Sequence, residues 1–245
     1  MKISFVILTW NRYQFLEKCL EALLLSIKDP SSCEILIMDN GSDDATSSVL
    51  QCYENHQQVK IFHLKKNYGI GAYKKLFAKA KGKYIVIVDD DVLAFPEGLD
   101  EIFSDYMMTY PDYGFIALNV IQNEFTNGAK PGPEHYINDT RSNKSIELGP
   151  TGGWCTSFRA TDYKKIKWRF LFSKLSMKMG EDGMLSALFA KKLHLKSGII
   201  KDKFCFHASG PHYARAYGHL DREIQKYKHS GLDDFVEEYK KYGQN

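Results

Sequence analysis

Three consecutive aspartates, Asp89, Asp90 and Asp91, follow the apolar run Ile85-Val86-Ile87-Val88. A strand alternates its side chains, so Asp89 and Asp91 are expected to point one way and Asp90 the other. Two like carboxylates on one face repel unless a cation lies between them. Hard oxygen ligands suit Mg²⁺ or Mn²⁺, ions that keep coordination places for water and substrate phosphates. Held where a diphosphate can reach it, such an ion neutralises the charge growing on a leaving nucleotide. The same acidic run could instead close a buried strand as a solvated turn or a helix-capping cluster, and the triplet alone leaves both readings open.

Four β-branched or apolar runs of strand length, Ile3 to Thr9, Glu34 to Asp39, Val59 to Leu64 and Tyr84 to Asp89, must position these acids. Helical patterns separate them. Leu16, Cys19, Leu20, Leu23, Leu24 and Ile27 recur at three- and four-residue steps, with Asn11 as the expected N-cap. Ser42 is expected to cap a second helix carrying Val49, Leu50 and Tyr53, and Ile70, Tyr73, Phe77 and Ala80 mark a third. Such alternation implies a parallel α/β sheet, in which ligands bind beyond the carboxyl ends of the strands. Those ends are polar: Thr9-Trp10-Asn11, Asp39-Asn40-Gly41-Ser42-Asp43-Asp44, Asn67-Tyr68-Gly69 and the aspartate triplet.

In this order, the motifs resemble those of the family 2 glycosyltransferases of the GT-A fold. The likeness runs from Ile3 to about His207. It begins with Val6-Ile7-Leu8-Thr9-Trp10-Asn11-Arg12 and continues through the Asp39 and Asn67 segments to Asp89-Asp90-Asp91-Val92 in the place of an Asp-x-Asp motif. Gly152-Gly153-Trp154 through Phe158-Arg159 is similar to the acceptor-side strand, and Gly180-Glu181-Asp182-Gly183 to a Glu-Asp motif. The resemblance implies a Rossmann-like, mostly parallel central sheet flanked by helices, with a smaller acceptor-side region and a C-terminal helical tail. It places Thr9, Asn11 and Asp39 at the nucleoside, Asn67, Gly69 and Lys74 towards the diphosphate, and Asp89, Asp90 and Asp91 at donor and metal. His207 would be a third metal ligand; its alternative is a structural histidine. Asp182 would be the catalytic base, with Glu181 in support; both could instead be ordinary first-turn helix acids. The implied reaction is inverting transfer from a nucleoside-diphosphate sugar, UDP-sugar first among them, to a hydroxyl of a glycan or lipid-linked saccharide.

A carboxylate such as Asp39 can accept the imide N–H of uracil, and Gly69 lets backbone approach a ligand closely. Asn119 to Pro150, with Asn127-Gly128 and Pro131-Gly132-Pro133, reads as a long excursion suited to acceptor contacts. Gly153 and Trp154 are acceptor-side candidates, the indole either stacking on a sugar or lying in the core. The Gly/Pro-containing segment from Ser209 to Arg215 reads as a lid that brings Arg215 to the diphosphate. Residues 1–218 are expected to form one domain, 1–118 its nucleotide-binding half and 119–218 its acceptor and base half, with 219–245 a helical extension. The extension is expected to pack on the core, an oligomer contact or membrane contact being the alternatives.

With 245 residues, 44% hydrophobic and 26% charged, the chain can bury a substantial core, and 33 basic against 30 acidic residues are interspersed rather than gathered into a nucleic-acid-binding stripe. Five cysteines without a Cys-x-x-Cys pair argue against a disulfide framework or a zinc site, and suggest a cytoplasmic setting, with peripheral contact at the inner membrane face as its variant. Departures from the family pattern are Lys74 and Lys75 after the Asn67 motif and the absence of Gln-x-x-Arg-Trp after Asp182, which favours single-sugar transfer over polymer synthesis. A nucleotidyltransferase acting on sugar phosphates would want a Gly- and basic-rich loop after the first strand, which Thr9-Trp10-Asn11-Arg12 does not supply. An inactive nucleotide-sugar-binding subunit would not need Glu181-Asp182. No P-loop motif occurs, and Gly69-x-Gly71 lacks the third glycine of a dinucleotide fingerprint.

Overall fold

A computed structural model describes residues 1–126, 130–176 and 179–243. The first half forms β1 (Ile3–Thr9), α1 (Tyr13–Ser26), β2 (Cys33–Asp39), α2 (Thr46–Gln51), β3 (Val59–His63), α3 (Tyr73–Phe77) and β4 (Tyr84–Asp89). β1 lies between β2 and β4 and runs parallel to both, and β3 extends the parallel set beyond β2. Strand alternation sends Ile3, Phe5 and Ile7 to the face covered by Leu16, Leu20 and Leu23 of α1. Val6, Leu36, Ile85 and Ile87 face the other way, onto Tyr73, Leu76 and Phe77 of α3. Both faces are therefore dry, which is why these strands read as nearly unbroken apolar runs.

The second half comprises β5 (Val92–Ala94), α4 (Leu99–Thr109), β6 (Tyr113–Val120), β7 (Ile137–Arg141), β8 (Lys144–Leu148), β9 (Cys155–Arg159), α5 (Ala160–Phe172), α6 (Glu181–Leu193), β10 (Lys196–His207), α7 (Pro211–Ala216), α8 (Leu220–His229) and α9 (Asp233–Gly243). The strand order is β3-β2-β1-β4-β9-β6-β10-β8-β7, with β5 pairing β10 off that path. β9 runs antiparallel to β4 and β6, so the parallel first half continues into a mixed second half.

The stretch from Asn119 to Pro150 departs from the expected open excursion. β6 reaches Val120, and β7 and β8 form an antiparallel hairpin. Its turn residues Ser142 and Asn143 both have positive φ, 46° and 63°, as a tight hairpin turn demands. β7 is a sheet edge made of Ile-Asn-Asp-Thr-Arg, too polar to show a strand's alternation. Asn127-Gly128 lies outside the described residues. Two expected caps also differ. Asn11 adopts φ 51° ahead of α1, whose N-cap position is Arg12, and Ser42 accepts the Asn11 N–H instead of capping α2. Asp44 takes over there, its Oδ1 accepting the Thr46 N–H.

The C-terminal segment forms the two expected helices, α8 and α9, which turn at Gly231 with φ 65°. Tyr227 stacks on Phe235 with ring centroids 5.1 Å apart, and Val236 and Tyr239 are buried. This helical pair packs on the domain. Among the described residues, no helix is long and apolar enough to cross a membrane.

Candidate active site

Two chain segments 116 residues apart meet at the acidic triplet because β5 pairs antiparallel with the end of β10, placing His207 opposite Val92. The register shifts between Phe206 and His207, and the Ala208 N–H donates to the Asp91 carbonyl at 2.9 Å. Such an irregularity re-aims the strand's last side chain. Ligand atoms of Asp89, Asp91 and His207 consequently all lie within 4.8 Å of one another. His207 Nε2 is 3.1 Å from Asp91 Oδ1 and 3.8 Å from Asp89 Oδ2. Asp89 is the last residue of β4, while Asp90 and Asp91 occupy a turn. Asp89 and Asp91 thus converge as expected, through the turn rather than through strand alternation.

Asp90 is engaged by side chains of its own. Its Oδ2 accepts the Thr9 hydroxyl at 2.8 Å and its Oδ1 the Arg12 guanidinium at 2.6 Å. The same guanidinium donates to Asp91 Oδ2 at 2.6 Å, lies 3.7 Å from Glu223 of α8 and covers the Phe15 ring. Arg12 therefore clamps three buried carboxylates. Burial opposes ionisation of Asp91, yet Arg12 and then His207 hold its carboxyl well below the usual range. At Asp89 the loss of hydration dominates; with Asp91, Asp90 and Asp182 nearby, and despite His207, its carboxyl is pushed up to about 7. Asp91 Oδ1 and His207 Nδ1 are buried without a hydrogen bond among the described residues, since the 3.1 Å approach to Nε2 is not aligned as one. Two carboxylates and an imidazole, crowded and incompletely satisfied, form a donor set that fits Mn²⁺ or Mg²⁺.

Glu181 and Asp182 open α6 on another wall of the same cleft. Glu181 is buried, and desolvation, followed by the charges of Asp182 and Asp89, holds its carboxyl well above the ordinary value. Asp182 is partly exposed and accepts the Gly183 N–H at 2.7 Å. The paired glycines opposite have separate steric reasons. A Cβ on Gly152 would stand 2.3 Å from the Trp154 ring, and one on Gly153 would stand 3.2 Å from Glu181 Oε1 and 3.4 Å from Asp182 Cβ. Gly153→Val is expected to displace both acids. Turnover should fall by about a hundredfold, the scale of an ångström misplacement, with nucleotide affinity unchanged by calorimetry.

Beyond the ends of β2 and β3, Asn40 and Asn67 make a small amide lattice. Asn40 donates to Asn67 Oδ1 at 2.9 Å and to the Gly69 carbonyl at 3.1 Å, and accepts the Tyr68 N–H. Gly69 has φ 57° with nothing within 4 Å of a built Cβ, so its backbone faces open space. A 3-10 turn, Gly69–Ala72, runs from this point into the five-residue α3. Lys74 Nζ donates to the Ser173 carbonyl at 2.6 Å, tying the end of α5 to α3.

The cleft between these walls measures about 1540 Å³. Of the expected site residues, it is lined by Thr9, Asn67, Gly69, Lys74, the three aspartates, Gly153, Glu181, Asp182 and His207. The other four lie off its wall. Asp39 is buried behind Asn40, accepting the Ser42 N–H and facing His63 Nδ1 at 3.1 Å. Asn11 instead binds Asp43, joining the loops after β1 and β2. Trp154 takes its core alternative: it is buried, donates its indole N–H to the Leu118 carbonyl and packs against His207. Arg215 donates to the Tyr242 carbonyl of α9.

Sequence reasoning missed the contribution of α8. Arg222, Glu223, Lys226 and Tyr227 line the cleft, and Arg222 donates twice to the Trp10 carbonyl. Glu223 is paired with Arg222, Lys226 and Arg12. Burial opposes its ionisation, but Lys226, Arg12 and Arg222 lower its carboxyl to about 2. His219, at the start of α8, is lowered to about 4 by burial and then by Arg12 and Arg222. Both groups make folding acid-sensitive. The neutral imidazole is favoured when folded, so stability falls as pH drops from 6.5 towards 4. The Glu223 contribution, full above 4.5, is lost as pH drops further towards 2. Across the first window wild type should lose on the order of 1–2 kcal/mol more than His219→Phe in thermal melts, a difference that cancels the opposite contribution of Asp89, whose raised carboxyl favours folding as pH falls.

The profile described as Glycosyl transferase family 2 matches residues 4–185. Over 232 residues the chain is 25% identical to the poly(ribitol-phosphate) beta-N-acetylglucosaminyltransferase TarS of Staphylococcus aureus, covering 89% of this chain and 38% of that protein. Over 181 residues it is 26% identical to the abequosyltransferase RfbV of Salmonella typhimurium, covering 69% and 54%. The chain thus spans between about a third and just over half of these two relatives, and 16% of an uncharacterized glycosyltransferase of Rickettsia felis, to which 40% of it aligns at 34% identity. Among solved structures, S. aureus TarS 1-349 in complex with UDP-GlcNAc superposes with a TM-score of 0.65 at 14% identity, covering 99% of this chain and 72% of that one. The mannosyltransferase PcManGT from Pyrobaculum calidifontis, in complex with GDP-Man and Mn²⁺, gives 0.64 at 14% identity, covering 92% and 61%. At such identities the superpositions establish the α/β fold, that of the GT-A glycosyltransferases.

Proposed function

Since the chain belongs to glycosyl transferase family 2 and is a glycosyltransferase, we propose that it transfers one sugar from a nucleoside-diphosphate sugar, UDP-sugar first, onto an acceptor hydroxyl with inversion. The observation that carries this reading is one cleft holding the Asp89–Asp91–His207 cluster on one wall and Glu181-Asp182 on another. Its volume, about 1540 Å³, exceeds what a single drug-sized ligand fills and leaves room for donor and acceptor together.

Asp89, Asp91 and His207 would hold Mn²⁺ or Mg²⁺, and the bound ion would offset negative charge on the diphosphate as it leaves. Arg12 keeps Asp91 ionised and Asp90 turned away, so the two ligating carboxylates keep their spacing. Asn40, Asn67 and the open backbone of Gly69 line the donor's nucleoside side, with Thr9 beneath. Asp39, off the cleft wall, would act through the loop after β2, its Oδ1 fixing the Ser42 N–H at 2.9 Å. Lys74 and Lys226 supply positive charge along the cleft.

Asp182 takes the acceptor proton as that oxygen bonds to the anomeric carbon, while the bond from that carbon to the diphosphate oxygen breaks. Glu181, kept neutral by burial, shapes the pocket without competing for the proton. Residues 1–118 serve the donor and 119–218 the acceptor, with α8 closing the cleft from the extension. Thermal-shift screening with Mn²⁺ and a panel of nucleotide sugars tests the reading. A matching donor at a hundredfold above its Kd should add about 2.7 kcal/mol. A flat response to UDP-, GDP- and dTDP-sugars alike would end it.

A further inference from the structure

Helix α5 presents two opposite kinds of surface. Tyr163, Ile166 and Phe170 are buried against the domain. Trp168 and Phe172, one turn apart on the outer side, are 68% and 82% exposed and stack on each other with centroids 6.2 Å apart. The helix is already anchored by its inner face, so packing does not explain an outward aromatic pair. A scattered exposed apolar residue is ordinary, but a contiguous pair rimmed by charge marks a contact surface.

The rim is basic. Lys165 and Arg169 flank the rings in one shallow depression, and Lys164 lies alongside on the exposed side. Residues 160–176 hold five basic residues against one acid, a net of +4 in a chain whose total is +3. The one acid, Asp162, is on the inner face and already pairs with Lys165 and Arg159. We infer that the outer face of α5 docks on an anionic phospholipid surface, Trp168 and Phe172 entering the headgroup–acyl boundary and Lys164, Lys165 and Arg169 meeting lipid phosphates. Amphipathic rings are suited to that boundary, and lysine and arginine stems reach from it to the phosphates. The attraction is to a charged layer, so it decays with salt.

The position of this face matters for the cleft. α5 runs directly into Ser173, Lys174, Leu175 and Ser176, which form part of the cleft wall, and exposed Met179 lies on the same rim. A bilayer against Trp168 and Phe172 therefore lies beside the cleft mouth. Resting on the glycosyltransferase reading, this favours an acceptor carried on a lipid, whereas the surface itself is tested without any transfer reaction.

The test is sedimentation of the full chain with vesicles of phosphatidylcholine containing 30% phosphatidylglycerol (a chosen composition), compared with phosphatidylcholine alone. Binding is expected to the anionic vesicles, with a blue shift of tryptophan emission, and to fall at least tenfold in Trp168→Ala/Phe172→Ala. Lys164→Glu/Arg169→Glu, which spares the pair between Lys165 and Asp162, should lower binding at least tenfold and flatten the salt dependence of what remains. Melting temperatures and Mn²⁺-dependent nucleotide-sugar protection should match wild type in both variants, separating the surface from the cleft. Three results would each overturn the proposal: no binding to anionic vesicles, equal binding by wild type and the aromatic double variant, or a concentration-dependent dimer that this variant dissolves, which would make a second copy the partner.

Discussion

Asp182→Asn is expected to lower turnover by three to four orders of magnitude while leaving donor affinity within about twofold. The carboxamide keeps the shape and the acceptor oxygen that takes the Gly183 N–H, so the first turn of α6 is preserved. It cannot accept the acceptor's proton. Glu181 is a poor substitute for it, because burial favours its protonated form, which offers no carboxylate to accept a proton. Single-turnover transfer, read beside calorimetric donor binding, distinguishes loss of a base from loss of a fold. Undiminished turnover would remove Asp182 from the reaction, and an equal collapse of donor binding would make it a structural acid.

The second large effect is at Asp91. Asp91→Ala removes one carboxylate of the cluster and one of the two carboxylates that Arg12 grips at 2.6 Å. Nucleoside-diphosphate affinity measured with Mn²⁺ should fall to the value wild type shows in chelator, with turnover down at least a thousandfold. Leaving the buried guanidinium with less counter-charge should also cost about 3 kcal/mol of stability. Asp91→Asn separates the two effects: it spares the packing and should lose the metal-dependent affinity to the same degree. Identical affinities in Mn²⁺ and chelator for wild type would contradict a metal role for the cluster.

The parallel half was readable almost to the residue, because β1, β2 and β4 are buried on both faces and the intervening helices carry apolar stripes. The hairpin β7–β8 was not, because an exposed edge of Asn, Asp, Thr and Arg has no hydrophobic period to display. At the site, the polar strand ends pointed to the acidic triplet, and motif order pointed to Asp182 and His207. The Arg12 clamp was hidden for a different reason. Arg12 sits in a quoted motif, but its role depends on Glu223, 211 positions away, and a buried ion pair leaves no local pattern. Composition left Trp154 open between a sugar-facing and a core position, of which the structure takes the core, and it set Arg215 towards the cleft, whereas Arg215 binds α9: a residue type near a site says nothing of direction.

The pairing of β5 with the end of β10 bears on biogenesis. A nascent polypeptide that has emerged only as far as Asp91 can already build the four parallel strands, yet it still lacks the imidazole at position 207. The Asp89–Asp91–His207 cluster is thus completed only when β10 threads between β6 and β8. A chain that has emerged short of position 207 holds the two carboxylates without the imidazole that completes the cluster.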